Sequence, residues 1–181
     1  LAGADMTDAD VSDGKMARAT LTGARFKRAI LVKTDLNSAD LAEAYMAEAD
    51  LTDADLSGAQ MRESNLSRAD LSRTRLSASD LTRAKLQGAA FSQTDLSDAS
   101  LNSADLTEAQ FQSTKVNGAD FTRADFTDAE FEETDLTGAN LTDAQLDGSL
   151  DANTEAEDVG VASVHVEDPQ IAVNGTKIAV S

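Results

Sequence analysis

The ten residues Ala49-Asp50-Leu51-Thr52-Asp53-Ala54-Asp55-Leu56-Ser57-Gly58 repeat one five-residue phrase twice: a small residue, an acid, a large apolar residue and two outward positions. Stepping by five from Leu51 in both directions, the large apolar position recurs without a slip from Leu1 to Leu146, at thirty consecutive steps. All six Phe and all four Met of the chain fall in this phase. A second phase, from Ala4 to Ser149, is always small, with 21 Ala, five Thr, three Ser and one Gly. The residue just before the large one is Asp or Asn in half of the quintets, and the residue after it is most often Ser or Thr.

Neither common periodicity accommodates a step of five. On an α-helix five residues turn through about 500°, so the apolar positions would spiral around the axis. On a strand an odd period alternates faces. The backbone therefore turns once per quintet and presents the large and the small residue to one interior. Self-similarity at a fixed short period marks a solenoid, whose repeats bury their apolar faces against each other.

The quintets Ala49-Asp50-Leu51-Thr52-Asp53, Ala54-Asp55-Leu56-Ser57-Gly58 and Ala139-Asn140-Leu141-Thr142-Asp143 resemble the A(D/N)LXX motif of the pentapeptide-repeat proteins. The resemblance covers residues 1–150. It implies an all-β fold, a right-handed quadrilateral β-helix with four quintets per coil and both the large and the small residue pointing inward.

Charge placement tests the coil size independently, because stacked coils bring residue i beside residue i plus the coil length, about 4.8 Å away. Within residues 1–150 a spacing of 20 gives 15 opposite-charge pairs against five like-charge pairs, whereas 15 gives 10 against 11 and 25 gives 11 against seven. A spacing of 20 generates the columns Asp8, Arg28, Glu48, Arg68; Asp13, Lys33, Asp53, Arg73; and Asp55, Arg75, Asp95, Lys115, Asp135. Inside the rod the same spacing aligns a core stack, with Phe91, Phe111 and Phe131 in one column and Thr34, Thr74, Thr94, Thr114 and Thr134 in the next. Thirty quintets at four per coil make about 7.5 coils, a rod roughly 36 Å long.

At Leu150 and Asp151 the phase is lost, so residues 1–150 read as the β-helix and 151–181 as a separate tail. Residues 151–158 form an acidic linker, Val159, Val161, Val164 and Val166 begin a strand-like pattern, and 171–180 read as a hairpin because Asn174-Gly175 suits a type I′ turn. A short hairpin is not stable alone. It is expected either to cap the helix or to open a further domain.

Composition narrows the function classes. The 181 residues contain 33 Asp+Glu against 15 Lys+Arg, a net charge of −18, with no Cys, no Trp and one His. Disulfides, thiolate metal sites and His-cluster metal sites are excluded, and His165 reads as an ordinary strand residue. A broad basic surface for direct nucleic-acid binding is absent. No apolar run reaches the 18 or so residues of a membrane span, and no signal peptide is visible; cytoplasm and exterior both stay open. No phosphate loop, nucleophile elbow or metal-ligand helix is present, so neither an enzyme nor a cofactor is expected.

The charge is uneven. Residues 1–90 carry 14 acids and 12 bases, a net of −2; residues 91–150 carry 13 acids and two bases, a net of −11. The clearest breach of pairing stacks Asp105 on Asp125 and Glu108 on Asp128, four carboxylates that invite a cation or a basic partner. A contrasting face, Asn37-Ser38, Ser57-Gly58, Ser77-Ala78, Asn117-Gly118 and Thr137-Gly138, reads as flat, small and almost uncharged, which suits lateral packing against protein. The residues favour a non-catalytic scaffold or protein-interaction rod that assembles with itself or other proteins through its ends or faces. The resemblance implies an alternative, since some pentapeptide-repeat proteins that confer fluoroquinolone resistance mimic a DNA duplex and bind DNA gyrase, a topoisomerase. A third reading is an acidic, cation-dependent surface protein carried by the four-carboxylate patch.

Overall fold

The computed structural model describes residues 1–146 and 148, with the backbone of residues 172–173 and 176–177. Every quintet is built around one tight turn. In most of them the carbonyl of the large residue accepts the N–H three residues on, as from Ala4 to Leu1 at 3.0 Å and from Ala44 to Leu41 at 3.0 Å; the quintets of Phe91, Phe111 and Phe131 depart from this, and Thr114 N–H donates to the Thr134 hydroxyl at 3.2 Å. The second outward residue of each quintet, from Gly3 to Gly148, has φ between 50° and 80°. A left-handed residue at the third place of a turn, following one of negative φ, marks type II geometry. Gly holds only seven of these thirty positions; Asp, Glu, Arg and other side chains hold the rest.

Four such turns close a right-handed quadrilateral coil of 20 residues. Each coil pairs with the next in parallel, as Asp5 with Arg25, Arg25 with Tyr45 and Tyr45 with Asn65. Three backbone bonds per quintet cross between coils, for example Met6 N–H to Arg25 O at 2.7 Å, Asp8 N–H to Lys27 O at 2.9 Å and Arg25 N–H to Ala4 O at 2.9 Å. One side lengthens into short strands, β1 (Ala90–Ser92), β2 (Gln110–Gln112) and β3 (Glu130–Glu132), paired in parallel with Phe91, Phe111 and Phe131 in register.

The interior is a packed, mostly apolar column. From Leu21 to Leu146 every large residue of the fivefold phase is buried, together with nearly all of the small ones. The Phe91 and Phe111 rings stack at 4.7 Å and 1°, Phe111 and Phe131 at 4.9 Å and 10°, and Phe126 packs against Phe111, Phe121 and Phe131. The threonine column is buried up to Thr114, and its hydroxyls reach down one coil. Thr74 donates to Leu51 O at 2.8 Å, Thr94 to Leu71 O at 2.7 Å and Thr114 to Phe91 O. Buried hydroxyls without partners cost roughly 1–3 kcal/mol, and among the described residues no buried side-chain polar atom lacks one. In the first coil Leu1 is 71% exposed and Met6, Val11 and Met16 are half-buried, because a coil wall covers them on one side only.

Within the tail, β4 (Ala172–Val173) and β5 (Thr176–Lys177) pair antiparallel, Ala172 with Lys177 and Val173 with Thr176. The acidic linker, the valine pattern, His165 and the turn residues Asn174 and Gly175 lie outside the described residues. So does any capping contact.

Candidate interaction surface

With large and small phases inside, three residues per quintet remain to face outward. The one before the large residue lies on a side of the rod; the two after it lie on the following corner, as the central pair of the turn. The commonest side residue, Asp, has a local task. Asp5 accepts the Thr7 N–H at 3.0 Å and the Thr7 hydroxyl at 2.6 Å, and Asp10, Asp120 and Asp125 hold Ser12, Thr122 and Thr127 in the same way. These bonds pre-form the turn. They also favour the charged carboxylate: the Thr7 hydroxyl, then its amide, hold Asp5 below the ordinary carboxylate range, and Ser12 and Thr137 do the same for Asp10 and Asp135. For Asp95 burial pushes the carboxyl up, yet Ser97 and Lys115 outweigh it and the net shift is downward.

Corner residues stack in charge ladders. Arg28 grips Asp8 and Arg73 grips Asp53, each through two bonds of 2.7–3.0 Å. Among the described residues eight ion pairs lie within 4.0 Å, and six of them join residues 20 apart. The other two, Lys27 with Glu48 and Arg62 with Asp80, are off-register by one and two residues, because long side chains reach diagonally. Arg25 also lies 5.8 Å from the Tyr45 ring centroid, a cation–π contact. The diagonal reach is not visible in a search at fixed spacing, and the ring contact, although at a spacing of 20, escapes a search for opposite charges. The left-handed corner had a signal: seven of the ten Gly share one phase.

The four carboxylates Asp105, Glu108, Asp125 and Asp128 sit on one side and its corner. Asp105 and Asp125 are neighbouring rungs; Asp105 accepts from Gln87 and Thr107, and Asp125 from Thr127. A base is closer than the stacked acids alone suggest, since Lys85 is the rung directly below Asp105, although no ion pair forms between them. Glu108 and Asp128 project from the corner at left-handed positions, and Asp128 lies over Gly148 so closely that a Cβ there would stand 2.4 Å from its Oδ1. Among the described residues no three carboxylate or imidazole groups are arranged to hold a metal ion.

The small-residue stripe runs along another corner, not a flat side, because Ser57-Gly58, Ser77-Ala78, Asn117-Gly118 and Thr137-Gly138 are all central turn pairs with the second residue left-handed. Its side chains tie successive coils: Asn37 donates to Ser57 O at 3.0 Å, Ser77 to the Ser57 hydroxyl at 3.4 Å and Asn117 to Thr137 O at 3.3 Å. No helix among the described residues is long and apolar enough to cross a membrane.

Comparison with solved structures agrees with this architecture. HetL, a pentapeptide repeat protein involved in heterocyst differentiation regulation from the cyanobacterium Nostoc sp. strain PCC 7120, is 30% identical over 81% of this chain, with a TM-score of 0.63. The match spans 66% of the HetL chain. A trypsin-treated form of QnrB1, a plasmid-mediated fluoroquinolone resistance protein, shares 18% identity over 92% of this chain and 85% of its own, with a TM-score of 0.84, a likeness of fold. Among curated proteins no match is found. The family model for pentapeptide repeats matches residues 4–41, 29–68, 39–77, 79–118 and 104–143, which together span most of the described rod. The chain belongs to the pentapeptide repeat family.

Proposed function

We propose that this chain is a non-catalytic scaffold, a rigid β-helical rod that presents charged sides and corners to protein partners, its own copies included. The observation that carries the reading is the division of labour in each quintet. Two phases are consumed by the core from Leu21 onward, and the outer Asp, Ser and Thr close turns, so the coil-to-coil variation of the surface lies in the ladder charges and corner residues. A surface of that kind recognises by charge pattern and shape, without moving parts. The test is a photo-crosslinking residue placed in turn at Glu132, Arg83, Ser97 and Lys85 of the full chain in its native cells. Discrete covalent adducts with protein from at least one position support the module; no adduct from any position removes it.

The uneven charge supports a second reading. Residues 91–150 carry a net charge of −11, and the fold likeness to QnrB1 makes a duplex-like acidic rod acting on DNA gyrase a reading worth testing. Only that half of the chain has the charge for it, since residues 1–90 are nearly neutral. A supercoiling assay with micromolar protein decides: neither inhibition nor protection of gyrase rejects this alternative.

A further inference from the structure

We infer that a second copy of this chain docks antiparallel along the side and corner that carry residues 85, 88, 105 and 108. The inference deepens the module reading and rests on it by naming one partner and one face. Its starting point is a mismatch on a single surface. Arg68 and Lys85 have no ion-pair partner within 4.0 Å among the described residues, and neither do Asp105, Glu108, Asp125 and Asp128. All six belong to the side column or to the outer column of the corner that follows it, with Ser67, Gln87, Thr107 and Thr127 between the two. The side column runs Tyr45, Asn65, Lys85, Asp105, Asp125, Gln145 and the corner column Glu48, Arg68, Gly88, Glu108, Asp128, Gly148. The columns are electrically in contact lower on the rod, where Asp5 acts on Asp8.

A two-fold axis lying between the two rods, perpendicular to both and level with the gap between the coil of Lys85 and that of Asp105, sets each column against itself in reverse order. Lys85 then faces the partner's Asp105, and Arg68 faces the partner's Asp128. Asn65 meets the partner's Asp125, an amide against a carboxylate, while Glu108 and Glu48 each meet a glycine. No charge faces a like charge at any rung. Moving the axis half a coil down sets Lys85 on its own copy and Glu48 on the partner's Asp128; half a coil up sets Asp105 and Glu108 on their own copies. A parallel pair of rods would align the two acidic halves. One antiparallel register is thus selected by charge, with all four attractive contacts counted over both copies.

The contact is small. Six coils at about 4.8 Å, across a strip roughly 10 Å wide, cover some 300 Å² per copy, against about 800 Å² per partner in a standard stable interface. The dimer is therefore weak, and it dissolves in salt.

Sedimentation velocity of the full chain tests this across a concentration series at about 20 mM and about 500 mM NaCl. Concentration-dependent dimerisation is expected at low salt only. R68E and D128R should each weaken it about tenfold or more, since each sets two like-charge pairs across the axis. Mixing equal amounts of R68E and D128R should restore a heterodimer. The acid introduced at position 68 of one chain would meet the base introduced at position 128 of the other, and the second pair stays native. Within one chain positions 68 and 128 are three coils apart, roughly 14 Å, so the rescue reads contact between chains. Circular dichroism confirms that both variants fold. A monomer at every concentration, a dimer unaffected by R68E, or failure of the mixed pair to associate would each overturn the proposal. Those outcomes leave the module reading to its own cross-linking test, which can fail independently.

Discussion

At the scale of single residues, the most demanding feature is the left-handed corner. A non-Gly residue there costs about 1–2 kcal/mol relative to right-handed backbone, yet this chain places Asp, Arg, Glu, Ser and Ala at such corners with φ near 55–60°. From Asp8 to Arg123 such a residue is held because its N–H is committed to the coil above, as Ala78 N–H is to Ser97 O at 2.9 Å. Ala78 is exposed and its side chain makes no bond, so Ala78→Gly should stabilise the rod by about 0.5–1 kcal/mol, the strain relieved exceeding the extra unfolded entropy. The reverse change, Gly118→Ala, should destabilise by about 1–2 kcal/mol, because the new Cβ would sit 2.3 Å from Asp98 Oδ1 as well as in the strained region. Thermal unfolding of the two variants beside the parent chain checks both signs. The acidic residues make a pH prediction. Thr7, Ser12 and Thr137 hold Asp5, Asp10 and Asp135 below the usual 3.8, and Arg28 and Arg73 do so for Asp8 and Asp53. The folded carboxyls bind protons less readily than the unfolded ones, so their contribution is complete above the unfolded value and is lost progressively as pH falls below it and through the lower folded value. The urea midpoint should be level from pH 8 to about 5 and decline steadily toward pH 3. A midpoint that rises on acidification would show that relief of carboxylate repulsion dominates instead.

At the scale of the coil, the parts legible in the sequence are those repeated at one spacing. The fivefold phase predicted which residues are inside, and the spacing of 20 predicted that Phe91, Phe111 and Phe131 share a column and that Arg28 meets Asp8. What the sequence did not show is geometry that depends on side-chain reach or backbone sign. Lys27 leans one residue past its rung to Glu48, Arg62 stops short at Asp80, and the small-residue stripe that reads as a flat face folds around a corner. The candidate surface was only half legible for the same reason: the stacked acids stood out, whereas the unpaired Arg68 and Lys85 became visible once the actual ion pairs were known. Packing in a column has its own consequence. Phe111 is sandwiched between two stacked rings and touches Phe126 at 5.9 Å, so Phe111→Ala should cost about 3–5 kcal/mol. Because each coil contacts only its neighbours, that loss is local. Urea unfolding followed by amide exchange should show the coils above Phe111 opening at lower denaturant than in the parent chain, with those below Leu86 little changed.

At the scale of the whole molecule, the two halves share one fold and differ in electrostatics. Among the described residues, seven of the eight ion pairs within 4.0 Å involve bases of residues 25–83, and only Arg123 with Asp143 belongs to the upper coils. Residues 91–150 set 13 acids against two bases. Attraction therefore dominates the lower coils, each exposed pair contributing little, and self-repulsion dominates the upper ones. Salt screens both, with a Debye length that shrinks from about 30 Å at 0.01 M to about 3 Å at 1 M. Sodium chloride should consequently act with opposite sign along one continuous rod. The readout is amide exchange, because the backbone N–H groups cross between coils and exchange only when coils part. In dilute protein, below the range of self-association, raising the salt should increase protection of amides between Leu101 and Leu141 and leave those between Phe26 and Leu86 unchanged or slightly weakened. A uniform change along the chain would mean that the net charge acts on the rod as a whole. A graded change, largest around Phe111 to Leu136 where the acids are densest, would locate the self-repulsion in the same coils that offer the acidic surface to a partner.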